Sequence, residues 1–179
     1  MNIAFFKRVQ NYLAKLFFSP TKYARYLGVN IGENNLIKKT HWSSEPYLIT
    51  VGSNCQLTSC KIYTHGGGQV VRHIDPTFDC YGKVRIGNYV YIGANSLIMP
   101  GVTIGDHVLV SAGSVVTKSI PSNMVVGGNP ARIICTIEEY YNRNKQYSIS
   151  TKGIDRNEKR KRILESNLFV EKSTMKYGI

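Results

Sequence analysis

The sequence predicts an all-β chain wound as a parallel β-helix, and three observations predict it. Ile86, Ile92, Ile98, Ile104, Val110 and Val116 fall six residues apart without a slip. Two positions before each stands a small or β-branched residue: Val84, Val90, Ser96, Val102, Val108 and Ser114. Turn formers fill the intervals, among them Gly87, Asn88, Gly93, Asn95, Pro100, Gly101, Gly105, Asp106 and Gly113. A period of six fits neither the 3.6 of a helix nor the alternation of a hairpin. It is satisfied when each unit is one short strand plus a turn and three units close a triangular coil.

One aliphatic side chain per unit then points inward and stacks on its equivalent three units later. The small residue two positions earlier fits the same crowded interior, and glycine and asparagine suit corners where φ turns positive. Successive coils lie about 4.8 Å apart, so the core is a column in which each unit touches mainly its neighbours. Upstream the beat survives in fragments, Ile31-Gly32, Val51-Gly52 and Ile62, with Val51 one residue out of phase. Residues 63–83 break it altogether, which predicts a loop thrown out from the column, a common seat of function.

The chain has 179 residues, 42% of them hydrophobic, enough for one domain with a true core. Twenty-three Lys and Arg against 11 Asp and Glu leave a formal charge of +12. With 16 Gly and 6 Pro, collagen and proline-rich linkers are excluded. Cys55, Cys60, Cys80 and Cys135 form no CxxC pair and read as reduced thiols of a cytoplasmic protein. Ile86 to Gly105 lacks charge over a bilayer-crossing length, but its glycines, Pro100 and asparagines exclude a membrane helix.

At the N-terminus, Phe5, Phe6, Val9, Tyr12, Leu13, Leu16 and Phe17 share one helical face, opposite Lys7, Arg8, Asn11 and Lys15. Two roles fit: packing against the column or a neighbouring subunit, and peripheral contact with an anionic membrane surface. After Ile134 the repeats stop, and the stretch from Thr136 to Tyr141 predicts a helix capping the open end. The expected organisation is a helix over 1–22, the column over 23–135 with its loop at 63–83, and a C-terminal helix and basic tail over 136–179. No nucleic-acid motif accompanies the basic cluster at Glu158 to Arg162.

Four stretches now carry a resemblance: YARYLGVNIGENNLI from Tyr23, YTHGGG from Tyr63, the run IGNYVYIGANSLIMPGVTIGDHVLVSAGSVVTKSIP, and VVGGNPARII from Val125. The chain resembles the hexapeptide-repeat acyltransferases, most of all sugar O-acetyltransferases of surface-polysaccharide biosynthesis. The resemblance implies a left-handed β-helix and a homotrimer with sites between columns. It also implies acetyl-CoA as cosubstrate, no metal, and a sugar or glycan acceptor, free or lipid-linked.

Acyl transfer from a thioester to a hydroxyl needs a base, an oxyanion donor and a groove for the pantetheine arm. Histidine is the natural base at neutral pH, and His65 in YTHGGG matches the family's catalytic position. Relatives often carry an acid next, where this chain has Gly66, so Asp75 or Asp79 is expected to orient the imidazole. His73 is a second candidate near the acceptor, whereas His107 is expected to be solvated at a corner and His41 has no assigned role. By the resemblance, Ala94 supplies the oxyanion N–H, Ala112 borders pantetheine, Thr117 and Lys118 lie near the nucleotide, and Arg132 meets a phosphate. Cys135 stands where relatives often have a second basic residue. Asn54 is the candidate acceptor contact. Two alternatives are an amino-sugar N-acetyltransferase and a non-catalytic scaffold. A zinc carbonic anhydrase on this column is disfavoured, because Ala112, not histidine, follows His107 by five.

Overall fold

The computed structural model describes residues 3–174, and side chains from residue 8 onward, so Phe5, Phe6 and Lys7 of the amphipathic pattern lie outside the described side chains. Three sheets of parallel strands form the faces of a column. Face A holds β1 (Asn30–Ile31), β4 (Ile49–Val51), β7 (Val84–Ile86) and β10 (Thr103–Ile104). Face B holds β2 (Leu36–Lys38), β5 (Gln56–Thr58), β8 (Tyr91–Ile92), β11 (Leu109–Val110), β13 (Met124–Gly128) and β14 (Ala131–Thr136). Face C holds β3 (His41–Trp42), β6 (Lys61–Ile62), β9 (Leu97–Ile98) and β12 (Val115–Val116). The chain visits A, B and C in turn, one short strand per face.

The six-residue beat is the core. Ile86, Ile92, Ile98, Ile104, Val110 and Val116 are all buried, as are the six partners two positions earlier. Ile86 pairs with Ile104, Ile92 with Val110, and Ile98 with Val116, each in register with its equivalent on the next coil. The two buried serines are tolerated because both hydroxyls find the Ser111 carbonyl, at 3.0 Å from Ser96 and 2.6 Å from Ser114.

The corners depart from expectation in one respect. Asn34, Asn54, Asn95, Gly101 and Gly113 take positive φ as anticipated, but so do Lys39, Ser59, Tyr89 and His107. Asn88 and Asp106 do a different job. Asn88 accepts from the Ser53 N–H at 2.9 Å, Asp106 accepts from the Asn88 N–H at 2.6 Å, and Ser122 accepts from the Asp106 N–H at 2.9 Å. This ladder of side chains on backbone donors pins the corner between faces A and B from coil to coil. The adjoining Tyr89 and His107 are thereby carried into the left-handed region, which normally disfavours them.

The first coil is covered by a helix that the repeat pattern did not disclose, α2 (Pro20–Leu27) in the helices' chain order after α1 (Ile3–Phe17). Ser19 caps its N-terminus by accepting from the Lys22 N–H, Pro20 opens it, and Gly28 closes it at φ 108°. Arg25 donates to the Ile31 carbonyl at 3.0 Å and the Gly32 carbonyl at 2.9 Å, satisfying strand-edge acceptors of the first coil. The anticipated helix boundary at residue 22 therefore falls inside α2. Among the described side chains of α1 only Ala14 is buried; Tyr12, Leu13, Leu16 and Phe17 are exposed, so the expected packing onto the column is not seen for that part of the face.

The column ends in an antiparallel hairpin, in which β14 returns along β13 and becomes the last strand of face B. A separate unit spans Glu138–Ile179 and contains most of a helix over Ile137–Asn144 and another over Arg156–Glu165. No helix among the described residues is long and apolar enough to cross a membrane.

Candidate active site

The loop leaves the column from face C immediately after β6, and His65 stands at its root. The preceding coil meets it there. Trp42 is in register with Ile62, and three residues further on in each coil come Glu45 and His65. His65 Nδ1 lies 2.6 Å from Glu45 Oε2. Nδ1 is buried and makes no in-line hydrogen bond, so the contact is a close approach of carboxylate to imidazole. Glu45, not Asp75 or Asp79, is thus the acid beside the imidazole. Asp75 accepts from the Thr77 N–H and hydroxyl, and Asp79 accepts from the Tyr81 hydroxyl at 2.8 Å.

Beneath the pair runs a short polar chain. Thr64 is fully buried, and its hydroxyl lies 2.9 Å from Glu45 Oε2 and 2.7 Å from the Ser43 hydroxyl. A carboxylate only accepts, so Thr64 donates to Glu45 and accepts from Ser43. Burial pushes the Glu45 carboxyl upward. The hydroxyls of Thr64 and Ser44 and the neighbouring His65 outweigh it and hold the group below the ordinary carboxylate range. Glu45 is therefore ionised at neutral pH. An anion facing Nδ1 selects the tautomer with its proton there, which leaves Nε2 as the basic nitrogen of a ring one-third exposed.

The other candidates fall at three corners. Ala94 follows β8 and Ala112 follows β11, so both lie between faces B and C on consecutive coils, tied by the Gly113 N–H to the Ala94 carbonyl at 2.8 Å. Arg132 pairs with Gly127 in the terminal hairpin, and Gly127 rests against Ser111, which puts the guanidinium at the far end of that same corner. Thr117 and Lys118 follow β12 and are exposed at the corner of His65, two coils along. Asn54 is exposed at the third corner, between faces A and B, with His107, whose ring stacks on Tyr89 at 5.0 Å. His73 is exposed in the loop, its Nδ1 2.7 Å from the Val70 carbonyl. Within one chain, His65 and the Ala94–Ala112–Arg132 line occupy opposite edges of face C. Among the described residues no cluster of three His, Cys, Asp or Glu side chains could hold a metal.

A column of stacked six-residue units with one carboxylate-backed imidazole at the root of its loop defines a hexapeptide-repeat transferase. The model of the bacterial transferase hexapeptide family (six repeats) matches residues 83–118. Protein CapG of Staphylococcus aureus is 43% identical over 141 residues, 76% of this chain and 82% of its own length. A maltose O-acetyltransferase from Clostridium difficile 630 superposes with a TM-score of 0.56 at 28% identity, over 72% of this chain and 83% of that one. A galactoside acetyltransferase solved in complex with coenzyme A shares the fold, with a TM-score of 0.53 at 23% identity over 83% and 88%. The chain belongs to the bacterial transferase hexapeptide family, and it is an acyltransferase.

Proposed function

We propose that the protein transfers acetyl from acetyl-CoA to a saccharide hydroxyl directly, with His65 as general base. The observation that carries this reading is the buried approach of Glu45 to His65 Nδ1, which leaves Nε2 as the free basic nitrogen beside an open loop. In the reaction Nε2 takes the proton of the acceptor hydroxyl while its oxygen attacks the thioester carbonyl. The tetrahedral oxyanion is met by the Ala94 N–H. It collapses with expulsion of the coenzyme thiolate, which recovers the proton from the imidazolium. Glu45 stabilises that imidazolium without itself accepting the proton.

Ala112 borders the pantetheine arm, and Arg132, with Thr117 and Lys118, meets the nucleotide. The base and the Ala94 line stand on different edges of one column, which supports a homotrimer whose clefts combine edges of two neighbours. Asn54 and His73 are proposed acceptor contacts, Asn54 from the corner of a neighbouring copy. The coil is left-handed, with helical ends. The exposed face of α1, flanked by Arg8 and Lys15, suits peripheral contact with an anionic membrane where a lipid-linked acceptor resides.

The test is His65→Ala. Turnover of acetyl-CoA with a saccharide acceptor falls by about 10²- to 10⁴-fold, the usual contribution of a general base, while coenzyme A binding by calorimetry is unchanged. Turnover equal to wild type removes the assigned mechanism.

A further inference from the structure

The loop closes on itself beside the base. His65 and Tyr81 pair as an antiparallel bridge, and the Gly82 N–H donates to the Thr64 carbonyl at 2.7 Å. The bridge brings the phenol ring to 5.4 Å from the imidazole, centroid to centroid, at an interplanar angle of 45°. Tyr81 remains 51% exposed, so part of its ring is open to solvent next to the proposed base. Its hydroxyl donates to Asp79 Oδ2 at 2.8 Å. Asp79 meets Arg72 at 3.4 Å, and Arg72 donates to the Phe78 carbonyl at 3.2 Å. The hydrogen bond to Asp79 pushes the phenol upward in pKa, so it stays neutral. On the chain following His65, Gly66 and Gly67 carry no side chains, and a Cβ on either would meet nothing within 4 Å.

An acceptor hydroxyl bonded to Nε2 must lie within about 3 Å of it, which sets the rest of the acceptor alongside Tyr81. A pyranose has a hydroxyl-bearing edge and a face of C–H groups. A neutral aromatic ring with its hydroxyl already bound elsewhere offers a surface to the second and nothing to the first. We propose, resting on the saccharide reading above, that Tyr81 is an acceptor-binding residue whose ring stacks on the apolar face of the sugar. Asp79, held by Arg72, occupies the phenol hydroxyl and is not assigned a contact with the sugar. The unfilled space at Gly66 and Gly67 admits an acceptor that continues beyond the stacked ring, as in an oligosaccharide.

The experiment compares wild type, Tyr81→Ala and Tyr81→Phe in steady-state acetyl transfer to a panel of mono- and oligosaccharides, with saturation-transfer NMR on the best acceptor. In Tyr81→Ala the KM for the acceptor rises about fivefold to tenfold, the KM for acetyl-CoA is unchanged, and saturation of the acceptor's ring protons is lost. Tyr81→Phe stays within about twofold of wild type on both measures. An unchanged acceptor KM in Tyr81→Ala overturns the proposal, as does Tyr81→Phe falling as far as Tyr81→Ala. Should Tyr81→Ala unfold, Tyr81→Leu fills the bridge without an aromatic face and is judged by the same two measures. Wild-type protein inert towards every saccharide sinks the underlying reading and the platform together. Wild-type transfer with an indifferent Tyr81→Ala sinks the platform alone.

Discussion

Two stretches of the same column obey the register differently. In the coil that begins at Val84 strand residues pair with those 18 positions on, as Ile86 does with Ile104 and Ile98 with Val116. In the next the step is 16, Ile104 to Ile120 and Val110 to Val126. Before Val84, the step is 20 in the first coil, Ile31 to Val51 and Trp42 to Ile62, and then 35 from Val51 to Ile86. Most of the extra length enters at one corner, after face C: a 3-10 turn at Pro46–Leu48 in the first coil and the loop in the second. The faces themselves stay paired. The regular stretch presents Ala94 and Ala112, proposed to meet the oxyanion and the pantetheine arm. The irregular stretch presents Glu45, His65 and Tyr81, where an acceptor particular to this enzyme is proposed to sit. Insertion at a single corner varies the chemistry while leaving the core ladder intact.

The most severe way to break the comparison is to thicken a corner of the regular stretch. A Cβ at Gly93 would overlap the Ala112 backbone nitrogen and stand 2.7 Å from its Cα, and neither can yield without parting adjacent coils. Gly93→Ala is expected to cost about 1–3 kcal/mol of stability, or more, as overpacking does, and to lose coenzyme A binding with it. Gly66→Ala, on the irregular side, meets open space and is expected within about 0.5 kcal/mol of wild type. Thermal melts of the two variants side by side decide the matter, and equal shifts would deny that the stacked corner at Gly93 is tight where the loop at Gly66 is open.

Next in size is Glu45→Gln. It keeps the shape of the side chain and removes the charge that faces Nδ1. The maximal rate is expected to fall about 10-fold to 100-fold with both KM values little altered, as for other partners that orient an imidazole. The same variant gives a pH signature. The Glu45 carboxyl is held below its ordinary range in the folded protein, so its contribution to stability is complete above the unfolded value. That contribution is lost as the pH falls through the lowered folded value. The melting difference between wild type and Glu45→Gln should therefore be larger at pH 7 than at pH 3, and a difference that grows on acidification would refute the ionised carboxylate.

The regular stretch was legible because nothing interrupts it: six aliphatic residues at one spacing leave a single fold that buries them all. The imidazole was legible as well, standing in YTHGGG where the beat fails. Its acid was not, because Asp75 and Asp79 are nearer in sequence and share its loop. Yet the signal was present. Ile31, Ile37 and Trp42 precede Val51, Leu57 and Ile62 by 20 residues, and the same step carries Glu45 to His65. The five-residue interval from Ile37 to Trp42, against six from Ile92 to Ile98, disguised the ladder. Tyr89 and His107 at positive φ were hidden for a different reason: the side-chain ladder of Ser53, Asn88, Asp106 and Ser122 imposes that backbone, and neither residue prefers it.

The smallest expected effect tests where the regular stretch ends. Arg132 is exposed, and its only described side-chain hydrogen bond is to its own neighbour's carbonyl, Ala131 at 3.0 Å, so the guanidinium retains donors for an anion. It stands in β14, three strand spacings of about 4.8 Å beyond the coil of Ala94. A line running from the proposed oxyanion position past Ala112 thus arrives at a cation. Cys135 is buried on the same strand, so the proposed phosphate contact falls to Arg132. Arg132→Ala is expected to weaken coenzyme A about fivefold to tenfold, the range of an exposed charge-assisted contact, and dephospho-coenzyme A by less. Calorimetry with both ligands reads the difference. Equal losses would mean that the guanidinium meets another part of the nucleotide, and that the line along the corner stops short of the phosphate.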